Sequence, residues 1–411
     1  MARLKGFQKL VSVDKALKEF LSRVEFNPKT HVIPLKTGLN RVLSQDIVST
    51  RNLPGMDKSA VDGYALRASE TLEATKSKPR SFQLVKSDSI KNNETKQVWT
   101  GNPLPSGADA VLMLENVKMT RDKVEVYGPA TRWENVSRMG EDIRQGQVAV
   151  RAGRRLRPQH LGLLAAIGFD DIRVFEKPKV AIVATGNELA ELGRDLHESQ
   201  IFDSNGLSLS ALCAELGAEP NDLGIARDEL EDISEKLRTG LNTSDAVVTT
   251  GGTSVGAPDL VPDAVNALGE PGIIVHGVAM RPGMPTALAV VSGKPLLVLP
   301  GNPAAAMLGF EVFGRPLISK LSGLQRTESR PLIEARMTKK VTVTLGRRNL
   351  VRVQVFLKKG EFCARPVSAR GSGLISTMTE ANGYVATMKN VEGIEEGEIV
   401  RVHMFDDLEE H

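Results

Sequence analysis

The sequence predicts a multidomain α/β protein, built around a doubly wound domain and followed by a smaller β-rich one. Three observations carry this. Between residues 177 and 322, short apolar runs end in glycine- or proline-rich turns and alternate with helical patterns, as parallel strands with crossover helices do. Carboxylates follow these runs at Glu188, Asp228 and Asp259. In a doubly wound fold such positions converge on one crevice at the carboxyl ends of the strands. From 332 to 411 the pattern changes to apolar–polar alternation between glycine-containing turns, which suits a small β-barrel or sandwich.

The central stretch is Val247–Asp259, VVTTGGTSVGAPD. Its apolar, β-branched start reads as a buried strand. Gly251-Gly252 then make a turn that other residues make only at a cost, and hydroxyls surround it at Thr249, Thr250, Thr253 and Ser254. Such a loop presents backbone N–H groups to an anion. It lacks the Gly-Lys-Ser/Thr of a phosphate-binding Walker loop and the G-x-G-x-x-G of a dinucleotide fold. Upstream, Lys179–Glu188 repeats the strand-turn-carboxylate pattern, and Asp203-Ser204-Asn205-Gly206 reads as an N-cap cluster before a helix. Downstream, Pro295–Leu299 runs into Pro300-Gly301-Asn302-Pro303 and another helix. Glu188, Asp228 and Asp259 are therefore expected to share one site with two turns rich in glycine and proline.

Taken in order, the chain begins with a helix capped by Ser12, with Val13, Ala16, Leu17, Phe20, Leu21 and Val24 on one face. Residues 30–50 are extended. Leu53–Arg67, LPGMDKSAVDGYALR, carries Asp57 and Asp62 among turn residues, with apolar neighbours that pin Asp62 to a core. Val98–Glu115 builds a proline- and glycine-rich loop with the Thr100 hydroxyl at its start, and Arg138–Ile143 is a compact polar turn. The arginines from Arg151 to Arg157 read as a solvated face. Gly277–Thr286, GVAMRPGMPT, offers Arg281, whose forked guanidinium suits oxyanions.

Composition narrows the classes. A net charge of +3 and 4% aromatic residues argue against nucleic acid as the main partner. The start MARLKGFQKL has no apolar signal region, and no 18-residue apolar run occurs, so neither a secretion signal nor a membrane span is expected. Cys213 and Cys363 lie far apart and read as free thiols, which fits a reducing cytoplasm.

Together these motifs resemble the MoeA-type molybdopterin molybdenumtransferases, the family of the gephyrin C-terminal domain. The resemblance rests on LPGMDKSAVDGYALR, VWTGNPLPSGADAVLMLE, RMGEDIRQG, ATGNEL, FDSNG, LGIARDE, TTGGTSVGAPD, RPGMP and LPGNPAAA, in family order from about residue 40 to 322. It implies a discontinuous linear domain (1–50 and 141–176), an inserted β-rich lobe (51–140), an α/β molybdopterin-binding domain (177–325) and a C-terminal β-barrel (326–411). It also implies an elongated homodimer whose site lies between the α/β domain of one chain and the lobe of the other. The family takes adenylylated molybdopterin (molybdopterin-AMP), inserts molybdate into the dithiolene and releases AMP with Mg2+. A molybdopterin adenylyltransferase is implied as a partner.

Carried over, Asp62, Thr100, Asp142, Glu188 and Asp228 become the implied catalytic set, and Asp259 with Asp228 the implied metal ligands. Arg138, Gly251, Gly252, Ser254, Arg281, Pro300 and Pro303 become the implied binding residues, with Arg352 and Ser372 as the barrel's oxyanion contacts. One departure stands out. Where the family commonly has K-P-G-K-P, this chain has Arg281-Pro282-Gly283-Met284-Pro285. Methionine removes one charge and three donors, which bears on molybdate affinity and on molybdate against tungstate. Two other readings compete: a molybdopterin-binding scaffold with reduced catalysis, and a molybdopterin adenylyltransferase, which the α/β domain alone resembles. The four-domain length and the Asp62 and Thr100 motifs count against the second.

Overall fold

The computed structural model describes residues 10–25, 28–252, 260–367 and 373–408. By its packing the chain divides into two units. One joins residues up to His31 with those from Phe175 onward, and the other is Val32–Val174.

The first unit holds the doubly wound domain. Its sheet runs in the order Glu219–Ala226, Lys179–Thr185, Ala246–Thr250, Lys294–Leu299, Ala287–Val291, Pro271–His276. The first four strands are parallel, and Ala287–Val291 runs against both of its neighbours. Lys179–Thr185 and Ala246–Thr250 are buried almost without a break, because helices cover both faces. Alternate side chains point to opposite faces. Ile182, Val248 and Leu297 pack with Leu209, Cys213, Phe310 and Phe313 on one side. Ala181, Val183, Val247 and Val298 pack with Ile233, Leu237, Val261 and Val265 on the other. Burial pushes the Cys213 thiol up to about 12, so it is an inert core residue.

The helix Val13–Arg23 forms where the apolar stripe predicts it, although the Ser12 side chain makes no capping hydrogen bond. Its position differs from the expected linear domain of 1–50 with 141–176. Val13, Ala16 and Phe20 are buried in the same cluster as Leu288, Val290 and Phe313.

The C-terminal segment closes a five-stranded barrel. Arg348–Lys358, Glu361–Pro366, Leu332–Met337, Ile399–Met404 and Gly383–Ala386 follow one another, and the last pairs back to the first. Leu332–Met337 alternates, with Ala335 and Met337 buried and Glu334 and Arg336 exposed. Met280–Arg281 of the RPGMP segment adds to this sheet, parallel to Arg348–Lys358, with Arg281 opposite Asn349.

A buried ion network ties the linker before the barrel to the α/β helices. Glu311 lies in a π-helical turn over Phe310–Gly314. It accepts Arg315 Nε at 2.7 Å and Arg330 Nε at 3.0 Å, while Arg330 Nη1 reaches Glu215 at 2.8 Å.

The second unit contains a six-stranded sheet in the order Ala110–Met113, Gly63–Leu66, Glu94–Val98, Arg80–Leu84, Lys123–Val126, Val117–Thr120. Leu66, Phe82, Leu112 and Val126 fill its core. A separate cluster joins Ile33, Leu43 and Ile47 to Ile143, Leu156, Leu164 and Val174, so the segments on either side of the lobe share one core.

The Glu311 network carries a stability prediction. Glu311→Ala removes the buried carboxylate shared by two mostly buried guanidinium groups and leaves them only the half-exposed Glu215, a loss of up to about 3–5 kcal/mol. The urea or thermal unfolding midpoint of the variant is expected to fall accordingly. An unchanged midpoint would refute the role assigned to Glu311.

Candidate active site

In the α/β domain, the loops at the carboxyl ends of the strands surround a cavity of about 890 Å3. Thr185, Gly186, Glu188, Asp203, Asn205, Asp228, Gly251, Gly252, Pro300 and Pro303 line it. Glu188, Asp228, the glycine pair and both prolines of the PGNP turn therefore meet in one place. Asp228 is fixed by a reciprocal pair: its carboxylate accepts the Asn187 amide, and its own amide donates to the Asn187 side chain, both at 3.1 Å. Gly251 is required by its backbone: φ is +96°, and a Cβ there would stand 2.3 Å from the Thr185 carbonyl oxygen. Ser254 and Asp259, the other expected residues of that loop, lie outside the described residues. Among the described residues, no group of three or more His, Cys, Asp or Glu is placed to hold a metal.

Asn205 was expected only as part of a helix cap, and it does more. Asp203 is the cap, accepting Gly206 N at 2.8 Å, and burial raises its carboxyl above the usual carboxylate range. Asn205 Nδ2 donates to Thr250 Oγ1 at 3.0 Å and to the Gly301 carbonyl at 2.8 Å, joining the glycine loop to the PGNP turn. Its Oδ1 is buried with no partner. A polar atom left so is costly unless a ligand meets it.

A second cavity, of about 480 Å3, lies where the RPGMP segment meets the barrel. Arg281, Met284, Pro300, Asn302, Thr344, Arg347, Asn349 and Arg352 are among its lining residues, and none of the described lining residues is acidic. Arg352 is only 6% exposed, and its Nε and Nη1 have no hydrogen-bond partner. Burial alone pushes its guanidinium below its ordinary value, yet arginine holds its proton in proteins. A buried cation without an anion is the strongest local argument for an anionic ligand. Arg281 reaches Thr344 Oγ1 with one guanidinium nitrogen. Ser372 lies outside the described residues. Pro300 lines both cavities.

In the other unit, Asp62 and Thr100 stand just past the ends of paired strands, where Gly63 faces Val98. Thr100 donates to Asp62 Oδ1 from its amide at 2.7 Å and from its hydroxyl at 2.8 Å. Those two donors hold the Asp62 carboxyl below the usual carboxylate range. Gly63 is forced by contact, since a Cβ there would stand 2.1 Å from the Leu112 carbonyl oxygen. Arg138 lies over the Trp133 ring at 4.9 Å, and its amide donates to Glu141. Asp142 sits exposed in the same turn, its amide bonded to the Leu53 carbonyl. Trp133 went unnoticed in the sequence because no periodicity marks a lone aromatic in a turn.

The comparisons agree with this organisation. The description "MoeA N-terminal region (domain I and II)" matches residues 11–168, "Probable molybdopterin binding domain" matches 181–320, and "MoeA C-terminal region (domain IV)" matches 334–405. A Methanocaldococcus jannaschii protein named for molybdopterin biosynthesis is 35% identical over 98% of this chain and its own full length. A Bacillus subtilis protein named molybdopterin molybdenumtransferase is 31% identical over 95% of this chain and 93% of its own. The crystal structure of the Pyrococcus horikoshii MoeA molybdopterin biosynthesis protein covers 97% of this chain, at 30% identity and a TM-score of 0.83. On motif order, domain content and fold alike, the chain belongs to the MoeA family of molybdopterin biosynthesis proteins.

Proposed function

We propose that this chain is a molybdopterin molybdenumtransferase: it inserts molybdenum into adenylylated molybdopterin and releases AMP, in molybdenum cofactor biosynthesis. The observation that carries the reading is the buried, unpartnered Arg352 guanidinium in a cavity without carboxylates, sharing Pro300 with the cavity of the α/β loops. The larger cavity has room for a pterin and its nucleotide, with Asn205 Oδ1 free to accept a donor from it. Gly251 and Gly252 bring backbone close to the phosphates. The smaller cavity takes the tetrahedral oxyanion, with Arg352 as anchor and Arg281 beside it. Family models and relatives that span the whole chain support a transferase over a stand-alone adenylyltransferase.

Asp228, among the cavity's lining residues, offers a hard oxygen donor, and with Asp259 it suits Mg2+. When bound there, the metal would neutralise phosphate charge. Asp62 and Thr100, with Arg138 and Asp142, belong to the second unit. We assign them to the same reaction across a homodimer, in the cytoplasm, with a molybdopterin adenylyltransferase supplying the substrate.

Three outcomes test this. Arg352→Gln is expected to weaken molybdate binding by about tenfold or more, the scale of one lost charged hydrogen bond, with the affinity for AMP retained. Calorimetry with molybdate and with AMP checks both halves, and normal molybdate binding would remove the anchor.

Asp259→Asn should raise the magnesium needed for AMP release by about tenfold, a cost seen even for groups one shell away from a metal. A titration of rate against magnesium that superimposes on wild type excludes Asp259 as a ligand.

Mixing inactive Asp62→Asn chains with inactive Asp259→Asn chains should restore about a quarter of wild-type activity. Random pairing makes half the dimers mixed, each with one intact site. Hybrid dimers that form and stay inactive would rule out a site shared between chains.

A further inference from the structure

The turn Thr344–Asn349 opens the first barrel strand and carries Arg347 to the lining of the smaller cavity. Arg347 is half-buried, and its guanidinium makes no ion pair among the described residues. The turn is held rigidly from inside. Asn349, itself buried, donates through Nδ2 to the Thr344 carbonyl at 3.0 Å, the Arg347 carbonyl at 3.1 Å and Thr387 Oγ1 at 3.2 Å. Its Oδ1 accepts the Thr344 amide at 3.1 Å. Every polar group of that side chain is used to close the turn. The same turn presents the Thr344 hydroxyl to Arg281, and its end pairs with Met280–Arg281.

Three guanidinium groups, Arg281, Arg347 and Arg352, therefore face one cavity that has no acidic residue among its described lining. Of the three, Arg352 is buried, and a buried charge is costly unless an anion meets it. Met284 faces the same cavity and brings no charge. We infer that Arg347 is a further oxyanion-binding residue, which supplies from the barrel turn the cationic contact that Met284 does not. The cavity then meets a tetrahedral dianion with a buried anchor at Arg352 and two guanidinium groups at its rim. The added positive charge at the rim attracts a dianion more strongly than a monoanion, so Arg347 raises affinity for a dianion above that for a monoanion of similar size.

This inference rests on reading the smaller cavity as the oxyanion site, and the test separates the two. Molybdate is titrated calorimetrically into the full-length protein as wild type, Arg347→Gln, Arg347→Lys, Arg352→Gln and the double variant Arg347→Gln/Met284→Lys, with perrhenate as the monoanion control. Melting temperatures confirm that each variant is folded. Arg347→Gln is expected to weaken molybdate by roughly tenfold, with a smaller change for perrhenate. Arg347→Lys should keep most of the affinity, and the double variant should regain part of it. Wild-type affinity in Arg347→Gln, with affinity lost in Arg352→Gln, overturns the role of Arg347 and leaves the cavity reading standing. Wild-type affinity in Arg352→Gln overturns both. A loss in Arg347→Gln that is equal for both anions, and that neither lysine variant repairs, assigns Arg347 to structure alone and also overturns the inference.

Discussion

A guanidinium taken out of water without a counter-charge is among the least favourable arrangements a fold can hold. Arg352 is in that position, on the first strand of the barrel and with two of its nitrogens unbonded. Much around it follows from keeping that group in place and ready for an anion. The RPGMP segment joins the barrel sheet beside it. Gly283 tolerates the left-handed backbone of the turn at φ +104°, with Met280 packed against it. The Thr286 hydroxyl, buried below, bonds the Gly283 carbonyl at 2.8 Å. The hydrophobic cores on both sides of the α/β sheet offset the cost of this charged cavity, as stabilising burial elsewhere commonly does for a functional site.

The two cavities share Pro300 and Asn302. The PGNP turn is thus a wall common to both cavities. Asn205 ties that turn to the glycine loop through Thr250 and Gly301. Such a wall suits a reaction in which loss of the nucleotide and entry of the metal oxyanion occur side by side.

Much of this was legible in the residues. The alternation of apolar runs with glycine-rich turns placed Glu188, Asp228 and Gly251-Gly252 at the carboxyl ends of adjacent strands, because a parallel sheet allows few other arrangements. Asp62 and Thr100 were singled out from turn chemistry before the two bonds between them were visible. Arg281 was recognisable by its charge in a proline- and glycine-bounded segment. Arg347 was not, because one arginine in a basic turn carries no periodic signal.

The sequence by itself determined the family, the doubly wound sheet and the residue types at its loops, since local pattern and turn chemistry act over a few residues. Only the tertiary structure decided which distant segments meet. The helix Val13–Arg23 packs Val13, Ala16 and Phe20 into the α/β core. Asn205 became a bridge between two loops, and Arg281, Arg347 and Arg352 came to face one cavity from segments up to 71 residues apart, from Arg281 to Arg352. Such convergence depends on packing across the whole unit, which no window of sequence contains.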